Sequence, residues 1–291
     1  MALDCGFQGT ILRFTDDPTP INFSGCINAG VLWDRVVQDS LSQGFSGLEL
    51  LSGIPGTLGA APVQNIGAYG QDLRNVIARV TIFDWENGQS FELSGSDCAW
   101  GYRTSVFKTK PQWIITGVCL KLGRSEYSEP IRYPELASQL GLGPGTSQIF
   151  VTSQVREAVF KLRAKKGMVL DPSDPDTRSA GSFFKNPTLN SEAQARVAAI
   201  TGEIVPVFQS RVPAAWLIER AGFKRGHVHG RVGISSKHVL ALVNRGSGSS
   251  RELLELSEAI QSAVAGKFDV KLELEPVVLG EGLPLAFLSS D

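Results

Sequence analysis

Three side chains in this sequence are of the types needed to steady a negative charge and deliver a proton. Arg103 follows Gly101-Tyr102. An arginine keeps its charge and offers a planar fork of donors to a carboxylate or phosphate; on a surface it makes an ordinary ion pair. Ser182 sits in Ala180-Gly181-Ser182-Phe183-Phe184-Lys185-Asn186-Pro187. A hydroxyl between a small residue and two aromatics can be held against a flat ligand with water excluded. The same order also describes a turn before a buried strand. Glu275 precedes Pro276. A carboxylate there is either solvated or, turned into a cleft, able to take part in proton transfer. No G-x-S-x-G elbow is present, which argues against an α/β-hydrolase nucleophile.

A second kind of chemistry resides in the backbone. Residues Gly53-Ile54-Pro55-Gly56-Thr57-Leu58-Gly59-Ala60-Ala61-Pro62-Val63-Gln64-Asn65-Ile66-Gly67-Ala68-Tyr69-Gly70 hold five glycines, two prolines and no charge. Glycine permits positive φ and close approach, and proline fixes φ. Such a path exposes N–H groups along a rigid, uncharged surface that suits a phosphate or the face of a flat cofactor. A glycine-rich connection between strands has the same composition, and residue types alone leave both readings open.

The remaining reactive side chains form no site by spacing. His227 and His229 are two apart and on a strand would share a face, but no third metal ligand is evident, so no metal site is expected. His238 could donate to a polar ligand. Cys5, Cys26, Cys98 and Cys119 are widely spaced, with no C-x-x-C pair, which predicts a reduced cytoplasmic protein. The formal net charge is -1 with both signs spread along the chain, unlike a nucleic-acid-binding footprint. The longest apolar runs fall far short of a membrane span, and no basic-then-apolar leader follows Met1.

The elements that must position these groups can be read in order. At 291 residues the chain is long enough for two domains. A turn and strand are expected within residues 1–12 and a short strand over 20–29. Val31–Ser42 reads as a helix, with Gly44 closing it. Strands are expected over 75–84, after the Asn87-Gly88 turn, and over Trp113–Leu122. Trp100-Gly101-Tyr102-Arg103 falls in a loop. Tyr133-Pro134-Glu135-Leu136 opens a short helix. Val155, Ala158, Val159 and Leu162 predict a helix over 153–166. Asp171-Pro172-Ser173-Asp174-Pro175-Asp176 is a candidate boundary. Beyond it, Ser191 and Gln194 suggest a capping box for a helix ending near Gly202, and Ala214 to Ala221 a second helix. Strands are expected over 228–235 and 238–244. Ser249 and Glu252 suggest another capping box, for a helix of about four turns. Phe268 to Glu275 alternates strictly, as a strand does.

Several separate motifs match one family in its order. The chain resembles the UDP-N-acetylenolpyruvoylglucosamine reductases of bacterial cell-wall synthesis, in the branch with a tyrosine loop. The resemblance rests on Gly53-Ile54-Pro55-Gly56 through Gly70, Gly101-Tyr102-Arg103, Gly181 to Pro187, Ala215-Trp216-Leu217-Ile218-Glu219 and Leu274-Glu275-Pro276. It implies an α+β fold. An FAD-binding domain of the vanillyl-alcohol-oxidase-like class would cover 1–170 and a smaller α/β substrate-binding domain 178–265, with 266–291 returning to the FAD domain. It implies non-covalent FAD, NADPH as hydride donor, and UDP-N-acetylglucosamine enolpyruvate as the small-molecule substrate. Ser182 would be the proton donor, with Arg103 and Glu275 polarising the substrate carboxylate. Pro55, Gly56, Thr57, Gly59, Ala60, Asn65, Ile66, Gly67, Tyr69 and Ile115 would meet the flavin. Tyr102, Tyr133, Lys166, Asn186 and His238 would meet the substrate.

The family begins with a further small flavin-binding subdomain, whose loop ending in Gly-Ser-Asn wraps the FAD pyrophosphate. This chain starts at the part matched by Asp4-Cys5-Gly6-Phe7-Gln8-Gly9-Thr10. The resemblance therefore implies that the subdomain is largely missing, that Met1 is an internal methionine of a longer protein, and that the chain as written binds FAD poorly. Two other readings compete. One is a nucleotide-sugar binder without flavin chemistry, which would have no need of a proton donor. The other is a flavin oxidase, against which the Gly-Ser-Phe-Phe-Lys-Asn motif and Glu275 argue.

Overall fold

The computed structural model describes residues 25–278. The expected turn and strand of residues 1–12, with Cys5, and the first part of the 20–29 strand lie outside the described residues. The chain divides into two compact units, Met1–Leu162 and Arg163–Asp291.

The first unit is built on β1 (Cys26–Asn28), after which the chain enters α1 (Trp33–Ser42). Trp33, Val36 and Val37 are buried at helical spacing, and the Trp33 indole donates to the Leu51 carbonyl at 2.9 Å. Gly44 follows with φ +77°, the left-handed exit expected of it. Next come β2 (Phe45–Ser46), β3 (Gly67–Ala68) and β4 (Gln71–Asp72). Strands β3 and β4 form a hairpin whose two turn residues, Tyr69 and Gly70, both have positive φ. That is the geometry of a two-residue primed turn.

Then β5 (Ile77–Asp84) and β6 (Gln89–Ser94) pair across the Asn87-Gly88 turn, and β7 (Trp113–Leu120) pairs antiparallel to β5. The sheet order is β1-β7-β5-β6. Val80, Ile82 and Val118 supply its buried face, and the core also takes in α1 and Leu58. Strand β8 (Gly123–Arg124) returns to β2, followed by α2 (Pro134–Gln139) and α3 (Thr152–Lys165). Pro134 opens α2, where its missing N–H has no cost. Val155, Ala158, Val159 and Leu162 form the buried stripe of α3 against Ile131 and Leu136.

One expectation is overturned here. The register of β1 on β7 sets Cys26 opposite Cys119, and the two form a disulfide. A sequence separation of 93 residues carries no signal of that register, so spacing alone pointed to reduced thiols. Cys98 is free and buried, and burial pushes its thiol up to about 11.

The second unit is a sheet of order β10-β11-β12-β9 backed by helices. It starts with β9 (Ser179–Ser182), α4 (Ser191–Thr201) and α5 (Ala214–Arg220). The cap of α4 is Asn190, one residue earlier than expected: its side chain accepts from the Ala193 N–H, so the Ser191–Gln194 box does not form. The single strand expected over 228–235 is instead a hairpin of β10 (Val228–His229) and β11 (Val232–Ile234), broken at Gly230 with φ +56°. Strand β12 (Ala241–Asn244) follows, and then α6 (Ser250–Phe268), with the Ser249–Glu252 capping box in place. At 19 residues α6 runs about five turns, longer than expected, because its pattern continues through Val264 and Phe268. The alternation of residues 268–275 survives as burial of Val270 and Leu272. It yields one bridge, Leu274 to Phe184, in place of a strand.

One ionic contact ties the first unit together. The Asp34 carboxylate accepts from both terminal nitrogens of Arg156 at 2.8 and 2.7 Å, and from the Gly53 N–H at 2.7 Å. It joins α1, α3 and the first residue of the glycine-rich stretch. Hydrogen bonds to charged groups contribute about 1.5–3 kcal/mol each in favourable settings, and this cluster is partly exposed. Asp34→Ala is expected to lower stability by about 2–3 kcal/mol, read as a drop in urea midpoint with an unchanged slope.

Candidate active site

The glycine-rich stretch is held along one side by the β1–α1 connection. Trp33 N–H donates to the Gly56 carbonyl at 3.0 Å. Leu58 N–H donates to Val31 and Gly59 N–H to Ala29, each at 2.8 Å. A Cβ on Gly59 would stand 2.5 Å from the Ala29 Cβ, so the two backbones approach this closely only with glycine there. This ladder turns the Thr57 N–H away from α1. Among the described residues, the Gly56 and Thr57 N–H groups make no internal hydrogen bond. Pro55, Gly56 and Ala60 are exposed, while Thr57 and Gly59 are half-buried. Gly56, with φ +117°, has open space where a side chain would stand. An uncharged lip with outward N–H groups fits a flat ligand that carries phosphates. Ile66 and Ile115 lie deeper, in the core.

Arg103 enters through a tight turn. Gly101 and Thr104 exchange backbone hydrogen bonds at 3.0 and 3.4 Å, and Arg103 between them has φ +56°. Left-handed backbone at a non-glycine residue costs about 1–3 kcal/mol and persists where the surroundings impose it. The guanidinium Nη2 donates to the Gly67 carbonyl at 2.8 Å and lies over the Tyr102 ring at 5.5 Å. Tyr133 meets Tyr69 edge-on, with centroids 5.4 Å apart. Burial, then Glu135 and Tyr102, push the Tyr133 phenol up, so it remains a donor at neutral pH. The first unit thus gathers Gly67, Tyr69, Tyr102, Arg103 and Tyr133 in one region.

The second unit gathers another set. Ser182 ends β9 opposite Ala241. The next residue, Phe183, donates its N–H to Leu240 at 2.8 Å and accepts the Glu275 N–H at 3.0 Å. One backbone position therefore links Ser182, β12 and Glu275. The Lys185 N–H donates to Glu273 at 2.9 Å and Gln261 Nε2 to Leu272 at 2.8 Å, which fixes the register of this last segment. The Asn186 side-chain oxygen accepts from the Ala214 N–H at 2.9 Å, so part of that amide serves to start α5. His238 lies in the β11–β12 loop, where Ser235 Oγ accepts its N–H at 3.3 Å. Burial first, then the charges of Lys166 and Arg225, hold the His238 imidazole down at about 4, so it is neutral at pH 7.

Residue types alone did not point to Arg225; the signal was its place in the Lys224-Arg225-Gly226 turn. The other histidines are used structurally. His227 packs on Phe223 with centroids 5.1 Å apart, and His229 lies 3.9 Å from Glu255. No cluster of three metal-ligating side chains occurs among the described residues.

Comparison with known proteins agrees with both halves. Residues 15–94 match the FAD binding domain model, and residues 171–279 match that of the UDP-N-acetylenolpyruvoylglucosamine reductase C-terminal domain. This is an α+β protein with an FAD-binding domain followed by a second domain found in that reductase. The chain is 44% identical to the UDP-N-acetylenolpyruvoylglucosamine reductase of Thermobifida fusca over 95% of its own length and 82% of the relative's. It is 42% identical to that of Mycobacterium marinum, over 93% of this chain and 77% of the other. The crystal structure of the Thermus caldophilus reductase superposes with a TM-score of 0.59 at 25% identity, covering 88% of this chain and 72% of that one. The chain belongs to the UDP-N-acetylenolpyruvoylglucosamine reductase family.

Two outcomes follow from this geometry. A Cβ on Gly67 would stand 2.8 Å from the Gln71 carbonyl and 3.1 Å from Arg103 Nη1. Gly67→Ala is expected to push the guanidinium aside and to slow turnover about 10–100-fold, the scale of a misplacement near 1 Å, with circular dichroism unchanged. The second outcome concerns His238, whose folded value is about 4 against 6.5 in the free side chain. At pH between those values the unfolded chain binds the extra proton, so its contribution is present above pH 6.5 and lost as pH falls towards 4. The loss is on the order of 3 kcal/mol. The difference in urea midpoint between wild type and His238→Gln should therefore shrink steadily from pH 7 to pH 4.5.

Proposed function

We propose that this chain reduces the enolpyruvyl group of UDP-N-acetylglucosamine enolpyruvate to give UDP-N-acetylmuramate, a step of peptidoglycan synthesis. The reading draws on family membership. The observation that carries it to named residues is the Phe183 link, which ties Ser182 to Glu275 within one unit. Bound FAD, recharged by NADPH, would supply the hydride. Addition of hydride to the double bond leaves negative charge on the carbon beside the substrate carboxylate. Arg103 would hold that carboxylate and stabilise the spread charge. Ser182 would then give its proton to the carbon, with Glu275 assisting the charge and proton balance. Tyr102, Tyr133, Lys166, Asn186 and His238 would bind the rest of the substrate, with Lys166 next to the diphosphate. Pro55, Gly56, Thr57, Gly59, Ala60 and Tyr69 would lie along the flavin. A cytoplasmic setting follows from these soluble reactants, and no described helix is long and apolar enough to cross a membrane. The nucleotide-sugar-binder reading is less economical, since it leaves Ser182 and Glu275 without a task.

The test separates the two half-reactions. The chain is held at saturating FAD and bleached with NADPH; the enolpyruvyl substrate is then added. Restored flavin absorbance with formation of UDP-N-acetylmuramate is the expected result. Ser182→Ala should bleach at the wild-type rate and recover about 10²–10⁴ times more slowly, the usual range for losing a positioned proton donor. Recovery at the wild-type rate would remove Ser182 from the reaction. A chain that binds the enolpyruvyl substrate but takes no hydride from NADPH at saturating FAD would favour the binder.

A further inference from the structure

We infer that Asn65 is a positioning residue for Arg103, and that its side chain serves the arginine turn and not the flavin surface. The inference rests on the reading of Arg103 as the carboxylate-holding group. Asn65 lies within the glycine-rich stretch, 1% exposed, with φ +48°. Its amide is engaged at both ends. Nδ2 donates to the Gly101 carbonyl at 2.9 Å, and Oδ1 accepts the Leu73 N–H at 3.1 Å. Gly101 is the residue whose backbone closes the turn around Arg103 through Thr104. Ser105, just past the turn, donates its hydroxyl to the Val63 carbonyl at 2.7 Å. The turn is thus pinned at its entrance by Asn65 and at its exit by Ser105. Between these pins Arg103 holds a left-handed backbone and reaches the Gly67 carbonyl. Asparagine is suited to this position on two counts. It tolerates positive φ better than most residues, and it alone among such residues supplies a donor and an acceptor from one planar group. Loss of the Nδ2 donor leaves the Gly101 carbonyl with only the 3.4 Å bond from the Thr104 N–H, and the turn that holds the guanidinium against Gly67 is loosened.

The test compares Asn65→Asp, which keeps the acceptor for Leu73 and loses the donor to Gly101, with Asn65→Gly, which keeps the backbone geometry and loses both bonds. Each is made alone and with Arg103→Ala in the FAD-loaded chain. Both single variants should keep the flavin, bleach with NADPH within about twofold of wild type, and recover about 10–100-fold more slowly with the enolpyruvyl substrate. The oxidised protein, mixed with substrate in the absence of NADPH, should show weakened binding by flavin difference spectra. In the Arg103→Ala background the Asn65 changes should have no further effect on recovery, because both act through one guanidinium. Full additivity, flavin loss in step with the rate, or failure of both variants to fold would each overturn the inference. Arg103→Ala alone recovering at the wild-type rate would defeat the carboxylate-holding reading itself, and the inference with it.

Discussion

The Asp34 carboxylate is the contact on which the first unit most depends. The glycine-rich stretch has little side-chain bulk to pack and much backbone freedom to lose. It needs fixed points, and the first is Gly53, whose N–H donates to Asp34. Arg156 reaches the same carboxylate with both terminal nitrogens, and its guanidinium also lies over the Phe160 ring at 4.6 Å. The contact is electrostatic, but its effect is geometric. It sets where the stretch leaves the short 3-10 helical turn Glu49–Leu51 and so where every later residue of the path begins. From there the chain is pinned again at Gly56, Leu58 and Gly59 by the β1–α1 connection. The N–H groups left outside those pins are the ones available to a ligand.

The second unit solves a different problem. Its reactive residues lie far apart in sequence, and a sheet register brings them together. Phe183 is buried, and its backbone is shared between Leu240 and Glu275. Gly181, with φ +79°, gives the backbone a left-handed step just before Ser182, which closes β9 paired with Ala241. Phe184, 1% exposed, anchors the segment in the core from the other side. A serine in this place is held by hydrophobic packing on the residues that follow it. That explains the order small residue, serine, two aromatics in physical terms.

Much of this was legible in the residues. The stripe at Val155, Ala158, Val159 and Leu162, the Asn87-Gly88 turn and the Ser249–Glu252 box are local signals, and local structure followed them. Two of the failures have identifiable causes, a partner distant in sequence and a choice between adjacent caps. Asn190 and Ser191 are both good N-caps, and the chain's approach to α4 decides for Asn190. The Cys26–Cys119 pair follows from strand register, which no spacing rule reports. Within the site, family resemblance assigned Asn65 to the flavin. Only the distances to Gly101 and Leu73 show that its amide is committed to the protein.

The backbone of the first unit also carries a pattern that packing alone does not explain. Of the non-glycine residues with positive φ there, Asn65, Tyr69 and Arg103 all belong to the region around the guanidinium, and Ala99 lies just before it. Each such position costs free energy that a glycine would avoid. At Tyr69 and Arg103 a glycine would remove the ring that meets Tyr133 and the cation that meets Gly67. Local preference is therefore overridden where a side chain is needed in a fixed place. In the same region glycine is kept at position 67, where a Cβ would strike a carbonyl and the guanidinium. Strain is accepted for the side chains that act and avoided at the residue that makes room for them, as expected of a site selected for placement over stability.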